Sequence, residues 1–210
     1  MSADMKPAVR PNARTRLLDV AMDVIRRQGF AATTVDDLCR AAGVTKGAFF
    51  HHFASKEDLG VAAADHWSET TSALFAAAPY NRHADPRDRV LGYLDFRREL
   101  IAGEVAAFTC LVGTMAQEVH ESSPAIRAAC RASIFGHSSV VEADIAAAME
   151  LHGAIPGWTA TSLALHFQAV LQGAFILAKA DNDAEVVLQS LDHLRRYVAL
   201  LFDCHHVKGS

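Results

Sequence analysis

Proline and glycine are scarce in this chain, 6 and 12 among 210 residues, so turn material is thin and long helices are the natural reading. No run of about 18 uninterrupted apolar residues occurs, and the opening MSADMKPAVRPNAR lacks the apolar centre of a secretion signal. Both absences lead to the expectation of a cytoplasmic protein that does not enter a membrane. The four cysteines, Cys39, Cys110, Cys130 and Cys204, have no CxxC spacing, which favours reduced thiols over a disulfide framework. GxSxG, a phosphate-cradling glycine loop, a dinucleotide fingerprint and a paired-carboxylate motif are all missing, so nothing supports an enzyme or asks for a cofactor. The eleven histidines do not add up to a metal site. His51 and His52 are successive on a helix and point apart, while Cys204, His205 and His206 crowd a terminus. Glu118, His120, Glu121 and His137 lack a HExxH spacing.

What the chain does have is enough apolar material, 51% of residues, for a real core in one or two compact units. Its net charge of -4 is unevenly spread: residues 1–56 hold nine Lys/Arg against five Asp/Glu, a local +4, and the remainder carries -8. A basic head on an acidic body suits local neutralisation of phosphates with little indiscriminate sticking to DNA. Arg10, Arg14 and Arg16 are placed to form an arm or helix start that adds backbone contacts.

The stretch TTVDDLCRAAGVTKGAFFHHFASKEDL, beginning at Thr33, specifies two short helices about Gly43 and a third helix start at Ser55. Thr34 with Asp37 makes a capping-box pattern, and Val35, Leu38, Cys39 and Ala42 fall on one apolar stripe. Gly43 sits where a left-handed turn residue is needed, Val44 plugs the angle, and Thr45 caps a second helix running to about Phe53. Phe49 and Phe53, four apart, point inward and leave Lys46, Gly47, Phe50 and His51 on the outer side. This is the layout of a helix-turn-helix, which places one helix in a major groove. Ser55 and Asp58 repeat the capping signature, and Lys56 lies in a first turn that disfavours cations, so a nearby phosphate is its expected compensation.

From Gly29 and Phe30 through that stretch, the chain resembles the N-terminal domain of the TetR family of one-component transcriptional regulators, over roughly residues 14–60. The resemblance implies an all-α fold: a three-helix helix-turn-helix head over residues 1–55 and a helical effector-binding and dimerisation body over residues 56–210, about nine helices in all. It also implies DNA contacts from Thr34, Thr45, Lys46, His51, His52 and Lys56. Phe50 departs from the family's usual Tyr, whose hydroxyl bonds a phosphate; contact with a thymine methyl is the substitute. His51 and His52 serve as donors to phosphate.

Leu18, Ala21, Met22 and Ile25 repeat at helical spacing ahead of the motif, with Gly29 as the stop. A long helix is expected from Lys56 to about Ala77, burying Leu59, Ala62, Ala63, His66, Trp67, Thr70 and Leu74. A loop from Pro79 to Pro86 follows, then helices from Asp85–Pro86 to about Ala102, Phe108 to Glu121, and Pro124 to His152, the last broken by Pro156-Gly157. Two final helices, about Thr159–Ala180 and Ala184–Cys204, are apolar over more than one face. They read either as central helices of one core or as half of a four-helix dimer interface, which the family resemblance implies, with Phe167, Val170, Leu171, Leu191, Leu194 and Val198 as its candidates. Trp67, Phe96, Arg97, Cys110, Gln117 and His137 are the candidates for lining an apolar effector pocket with a few orienting polar groups. FTCLVGTMAQE, around Cys110, is similar to the matching helix of a TetR subgroup that includes an N-ethylmaleimide-sensing repressor with an electrophile-reactive cysteine. Cys110 is therefore either a sensor thiol or an inert buried one. The function expected is a homodimeric repressor that binds a pseudo-palindromic operator in double-stranded DNA and is released by a small apolar or electrophilic effector. The alternative is a helical ligand-binding or interaction module without sequence-specific DNA binding.

Overall fold

The structure, a computed structural model, describes residues 12–153 and 157–203. Ten α-helices and one 3-10 turn account for the regular structure of these residues: α1 Ala13–Gln28, α2 Val35–Ala42, α3 Lys46–His52, α4 Lys56–Ala76, the turn Pro79–Arg82, α5 Pro86–Glu99, α6 Val105–Phe108, α7 Leu111–Val119, α8 Pro124–His152, α9 Ala160–Asp181 and α10 Glu185–Asp203. Arg10, Pro156, Cys204, His205 and His206 lie outside the described residues.

Local chemistry explains most boundaries. Asn12, Thr34, Thr45, Ser55, Asp85, Ser123 and Thr159 each cap a helix with a side-chain oxygen. The segment expected as one helix from Phe108 is instead split: α6 is a single short turn and α7 begins after Cys110, whose Sγ accepts the Gly113 N–H at 3.4 Å. The helix after Pro86 stops at Glu99, and α8 ends at His152, where Gly153 takes a φ of 79°. Along α4, Leu59 and Ala63 are buried as the pattern requires and Ala62, His66 and Trp67 are half-buried, but Leu74 is 44% exposed and Thr70 faces solvent; Ala64 and Phe75 go inward instead.

Two cores result. The body core runs from Phe75 through Tyr93 and Leu94 of α5, Val141 and Ile145 of α8, and the inner faces of α9 and α10. The other begins in the head with Leu17, Leu18, Ile25, Leu38, Phe49 and Phe53, and does not stop at residue 55. It continues into Leu59 and Ala63 of α4, Leu111, Val112, Met115 and Val119 of α7, and Ile126 and Cys130 of α8. At Gly60 an added Cβ would come within 2.8 Å of both Ile126 and Phe30, so the absence of a side chain is what lets α4 pass this closely between head and body. By length and composition α9 would suffice to cross a bilayer; here it is the centre of the body, packed between α8 and α10 with Phe167, Leu171 and Phe175 inward.

Candidate nucleic-acid interface and body cavity

In the head, the turn between α2 and α3 is held by its own backbone. Gly43 adopts φ 61° and ψ 42°, and the N–H groups of Gly43 and Val44 reach Arg40 O at 3.3 Å and Cys39 O at 3.0 Å. Thr34 Oγ1 accepts from Asp37 N at 3.1 Å while the Asp37 carboxylate accepts from Thr34 N at 3.1 Å, closing the capping box. Bonds from the Thr34 hydroxyl and backbone hold the Asp37 carboxyl below its usual range. Thr45 Oγ1 accepts from Ala48 N at 3.1 Å and opens α3.

Phe49 is fully buried and Phe53 nearly so, which turns the opposite flank of α3 outward. Lys46, Gly47 and His51 are exposed, His52 is half-buried, and Phe50 is 55% exposed with its edge against the Phe49 ring. Lys46 Nζ lies 2.9 Å from Asp36 in an exposed pair that water and salt screen heavily. The expected outer residues therefore share one accessible face, flanked by Thr34 and Thr45.

Lys56 is placed differently from expectation. Its ammonium donates to the carbonyls of Phe30 at 3.0 Å, Ala31 at 3.3 Å and Thr33 at 2.9 Å, and stands 4.6 Å from the centre of the Phe30 ring. The compensation for a cation in the first turn of α4 thus comes from carbonyls at the α1–α2 turn, with all three of its N–H donors engaged. Arg16 and Arg14, though exposed, also make contacts within the chain: Arg16 Nη1 donates to Ala42 O at 3.3 Å and the Arg14 guanidinium lies over Phe53.

Below the head, α4, α5, α6, α7, α8 and α9 enclose a cavity of about 180 Å³. Of the residues expected to line it, Trp67, Arg97, Cys110 and His137 do; Phe96 instead packs edge-on against Phe75, and Gln117 lines an adjoining, more open recess with Lys179 and Glu118. Sequence reasoning missed Gln168 and Gln172 of α9, which line the cavity too. The signal was there: Ala164, Gln168, Leu171 and Phe175 form one buried stripe, and a glutamine on such a stripe marks a polar group taken out of water for a reason.

The polar end of the cavity is a linked set. Arg97 Nε donates to Tyr93 Oη at 2.9 Å, and Arg97 Nη2 and Tyr93 Oη both approach His137 Nε2, at 2.9 and 3.0 Å. A nitrogen that accepts from a guanidinium carries no proton, so His137 is neutral and holds its proton on Nδ1. Burial, with Arg97 next, pushes its pKa down to about 3. The Arg97 guanidinium also lies 4.4 Å from the Phe75 ring centre. Among the described cysteines, Cys39 and Cys130 are buried, and burial pushes the Cys130 thiol up to about 12; Cys110 is half-buried and borders both recesses. No three His, Cys, Asp or Glu side chains among the described residues converge as metal ligands; His137 is engaged with Arg97, and Glu118 with the head.

The cavity wall is tied to the head. Arg26 of α1 donates to Ala107 O at 2.8 Å and covers the face of Trp67; both partners line the cavity. Glu118 of α7 accepts from Ala31 N at 2.9 Å, and Arg27 pairs with Glu104 just ahead of α6.

The residues expected at a dimer contact require correction. Phe167, Leu171, Leu191, Leu194 and Val198 are 0–3% exposed in the single chain and belong to its own core; Val170 is half-buried. The outward face of α9 and α10 instead presents His166, Ala169, Ile176 and Leu177 from one helix and His193 and Tyr197 from the other, with His166 and Tyr197 in ring contact.

Comparison with known proteins agrees with this geometry. Residues 17–63 match the family model of bacterial regulatory proteins of the tetR family, and residues 86–193 match the C-terminal domain of LmrA/YxaF-like transcriptional regulators. The chain is 48% identical to the transcriptional repressor KstR2 of Rhodococcus jostii over 46 residues, 22% of either protein's length, and 23% identical to the Escherichia coli repressor NemR over 188 residues, 90% of this chain and 94% of that one. The crystal structure of reduced E. coli NemR superposes with a TM-score of 0.76, covering 88% of this chain and 95% of that one at 23% identity. A TetR-family regulator from Agrobacterium tumefaciens superposes with a TM-score of 0.78 at 21% identity, covering 90% and 97%. With the head matched over the helix-turn-helix and more than half of the chain matched by the body, this protein belongs to the TetR family of DNA-binding transcriptional regulators.

Proposed function

We propose that the protein is a homodimeric repressor in which residues 1–55 read a pseudo-palindromic operator and residues 56–210 bind a small apolar or electrophilic effector and dimerise. The observation that carries this reading is the α3 flank of Lys46, Gly47, Phe50 and His51, left accessible while the opposite flank is sealed by Phe49 and Phe53. A lone seven-residue helix reads few bases; a two-fold pair reads half-sites about 34–36 Å apart. The outer face of α9 and α10, with Ile176, Leu177 and Tyr197 exposed, is the pairing surface.

Release works by population shift. An effector in the cavity presses on Trp67 of α4 and on the α6–α7 segment, both of which are fastened to α1 through Arg26 and Glu118. The two heads then change separation and no longer fit successive major grooves. A coupling of about 1–3 kcal/mol is enough for a useful response. Cys110, half-buried at the cavity and at the N-terminus of α7, is the thiol an electrophile would reach.

A gel shift with the DNA upstream of the protein's own coding region tests this: a salt-sensitive, sequence-selective complex is expected. Absence of a selective complex at low salt would favour the module without sequence-specific DNA binding. Cys110→Ser should keep the operator complex and lose its dissociation by N-ethylmaleimide; unchanged dissociation removes the thiol from the mechanism.

A further inference from the structure

Arg97 is a cation in a largely apolar chamber, and no carboxylate among the described residues pairs with it. Of its five N–H groups, one goes to Tyr93 Oη and one to His137 Nε2, leaving three without a protein acceptor. Its neighbours are chosen for orientation, not neutralisation: a neutral imidazole, a phenol and the Phe75 face fix the plane of the guanidinium and leave its charge in place. A second donor sits in the wall of the same space. Gln168 is 8% exposed, lines the cavity, and its buried Nε2 has no hydrogen-bond partner. Leaving such a group unmatched costs about 1–3 kcal/mol, which a protein tolerates when a ligand supplies the missing acceptor. Apart from Thr71, Ser133 and Gln172, the rest of the lining is largely apolar, including Leu100, Ile101, Phe108 and Phe175.

We infer that the cavity takes a small organic carboxylate, its anionic head on the free edge of Arg97 and on the Gln168 amide and its apolar body against Phe108 and Phe175. A planar guanidinium presenting parallel N–H groups matches a carboxylate in two-point contact, and the fit is strongest away from water. A volume of about 180 Å³ lies below the roughly 300 Å³ at which sites for drug-sized ligands begin. This inference rests on the cavity being the effector site, and it narrows the ligand to one charge class.

The test follows emission of the full-length protein, in which Trp67 lines the cavity, during titration with butyrate, hexanoate and benzoate, each against its primary amide. At least one acid should perturb the emission saturably and bind at least tenfold more tightly than its amide. Arg97→Met, which keeps the aliphatic stem, should abolish that preference, and Gln168→Leu should weaken the acid several-fold; far-UV circular dichroism confirms that each variant is folded. If no acid binds, or every acid binds no better than its amide, or Arg97→Met retains the preference, the carboxylate assignment falls. A separate gel shift with the best acid tells the two readings apart. Tight acid binding without operator release would leave the carboxylate site standing and refute the effector role. Operator release by neutral amides alone would do the reverse.

Discussion

Replacing Lys56 with Met separates two roles for one residue. As a clamp, the ammonium joins α4 to the α1–α2 turn through three carbonyls and the Phe30 ring. A hydrogen bond involving a charged group is worth about 1.5–3 kcal/mol, and a cation over an aromatic ring adds about 0.5–1 kcal/mol at an accessible site. Lys56 is half-buried and some of the freed carbonyls regain water, so the three bonds count as roughly one good one rather than three. The expected loss for Lys56→Met, which keeps the aliphatic stem, is about 2 kcal/mol. For a chain of this size that corresponds to a fall in Tm of roughly 4–8 °C. Urea and thermal unfolding at one fixed protein concentration measure it, because association contributes to the apparent stability of an oligomer. Operator affinity, measured well below the new Tm, should fall little and keep its salt slope. A variant with unchanged Tm but uniformly weaker operator binding and a salt slope reduced by about one would refute the clamp and return Lys56 to phosphate binding.

Three further outcomes are expected. Lys46→Ala and Phe50→Ala should leave the Tm within about 1 °C, since both side chains are exposed, yet each should alter which operator variants are preferred in a competition gel shift; an unaltered preference with undiminished affinity would remove α3 as the reading element. Leu177→Glu, on the outward face of α9, should convert the dimer to monomer in sedimentation or light scattering while preserving helical content, whereas a dimer of unchanged stability would place the interface elsewhere. His137 has a folded pKa depressed to about 3 by burial and Arg97, while the unfolded chain takes up its proton near 6.5. The folded state therefore loses stability as pH falls from about 6.5 toward 3. His137→Gln should flatten the change in urea midpoint between pH 7 and pH 5, and an equally steep change in the variant would exclude this residue as its source.

The head was legible because its instructions are local. Thr34, Asp37, Gly43, Thr45 and Ser55 each act within four residues of themselves, and each does in the structure what its chemistry demands. The start of α7 was not legible, since cysteine is an uncommon cap and nothing in FTCLVG announces that Cys110 will fill that place. Periodicity also failed at α9 and α10, for a definite reason. A helix apolar on two faces does not say which face its own chain will cover, and here Phe167, Leu171, Leu191 and Val198 took the inner one. Lys56 and Arg26 were misjudged or overlooked because their partners are backbone carbonyls 23–26 residues away for the first and 81 away for the second, and a carbonyl has no signature in composition. Arg97 and His137 were placed in the pocket by composition; that they touch is a product of α5 packing on α8.

The apolar interior that passes from Leu17 and Phe49 through Leu59 to Met115 and Ile126 has a practical consequence for anyone building hybrid regulators. Residues 1–55 cut out and grafted onto a foreign scaffold would leave behind the floor on which they stand, and the exposed remnant would invite aggregation. A working transplant has to carry the start of α4, α7 and the first two turns of α8 with it, so the helix-turn-helix and the helical body share ownership of the same wall.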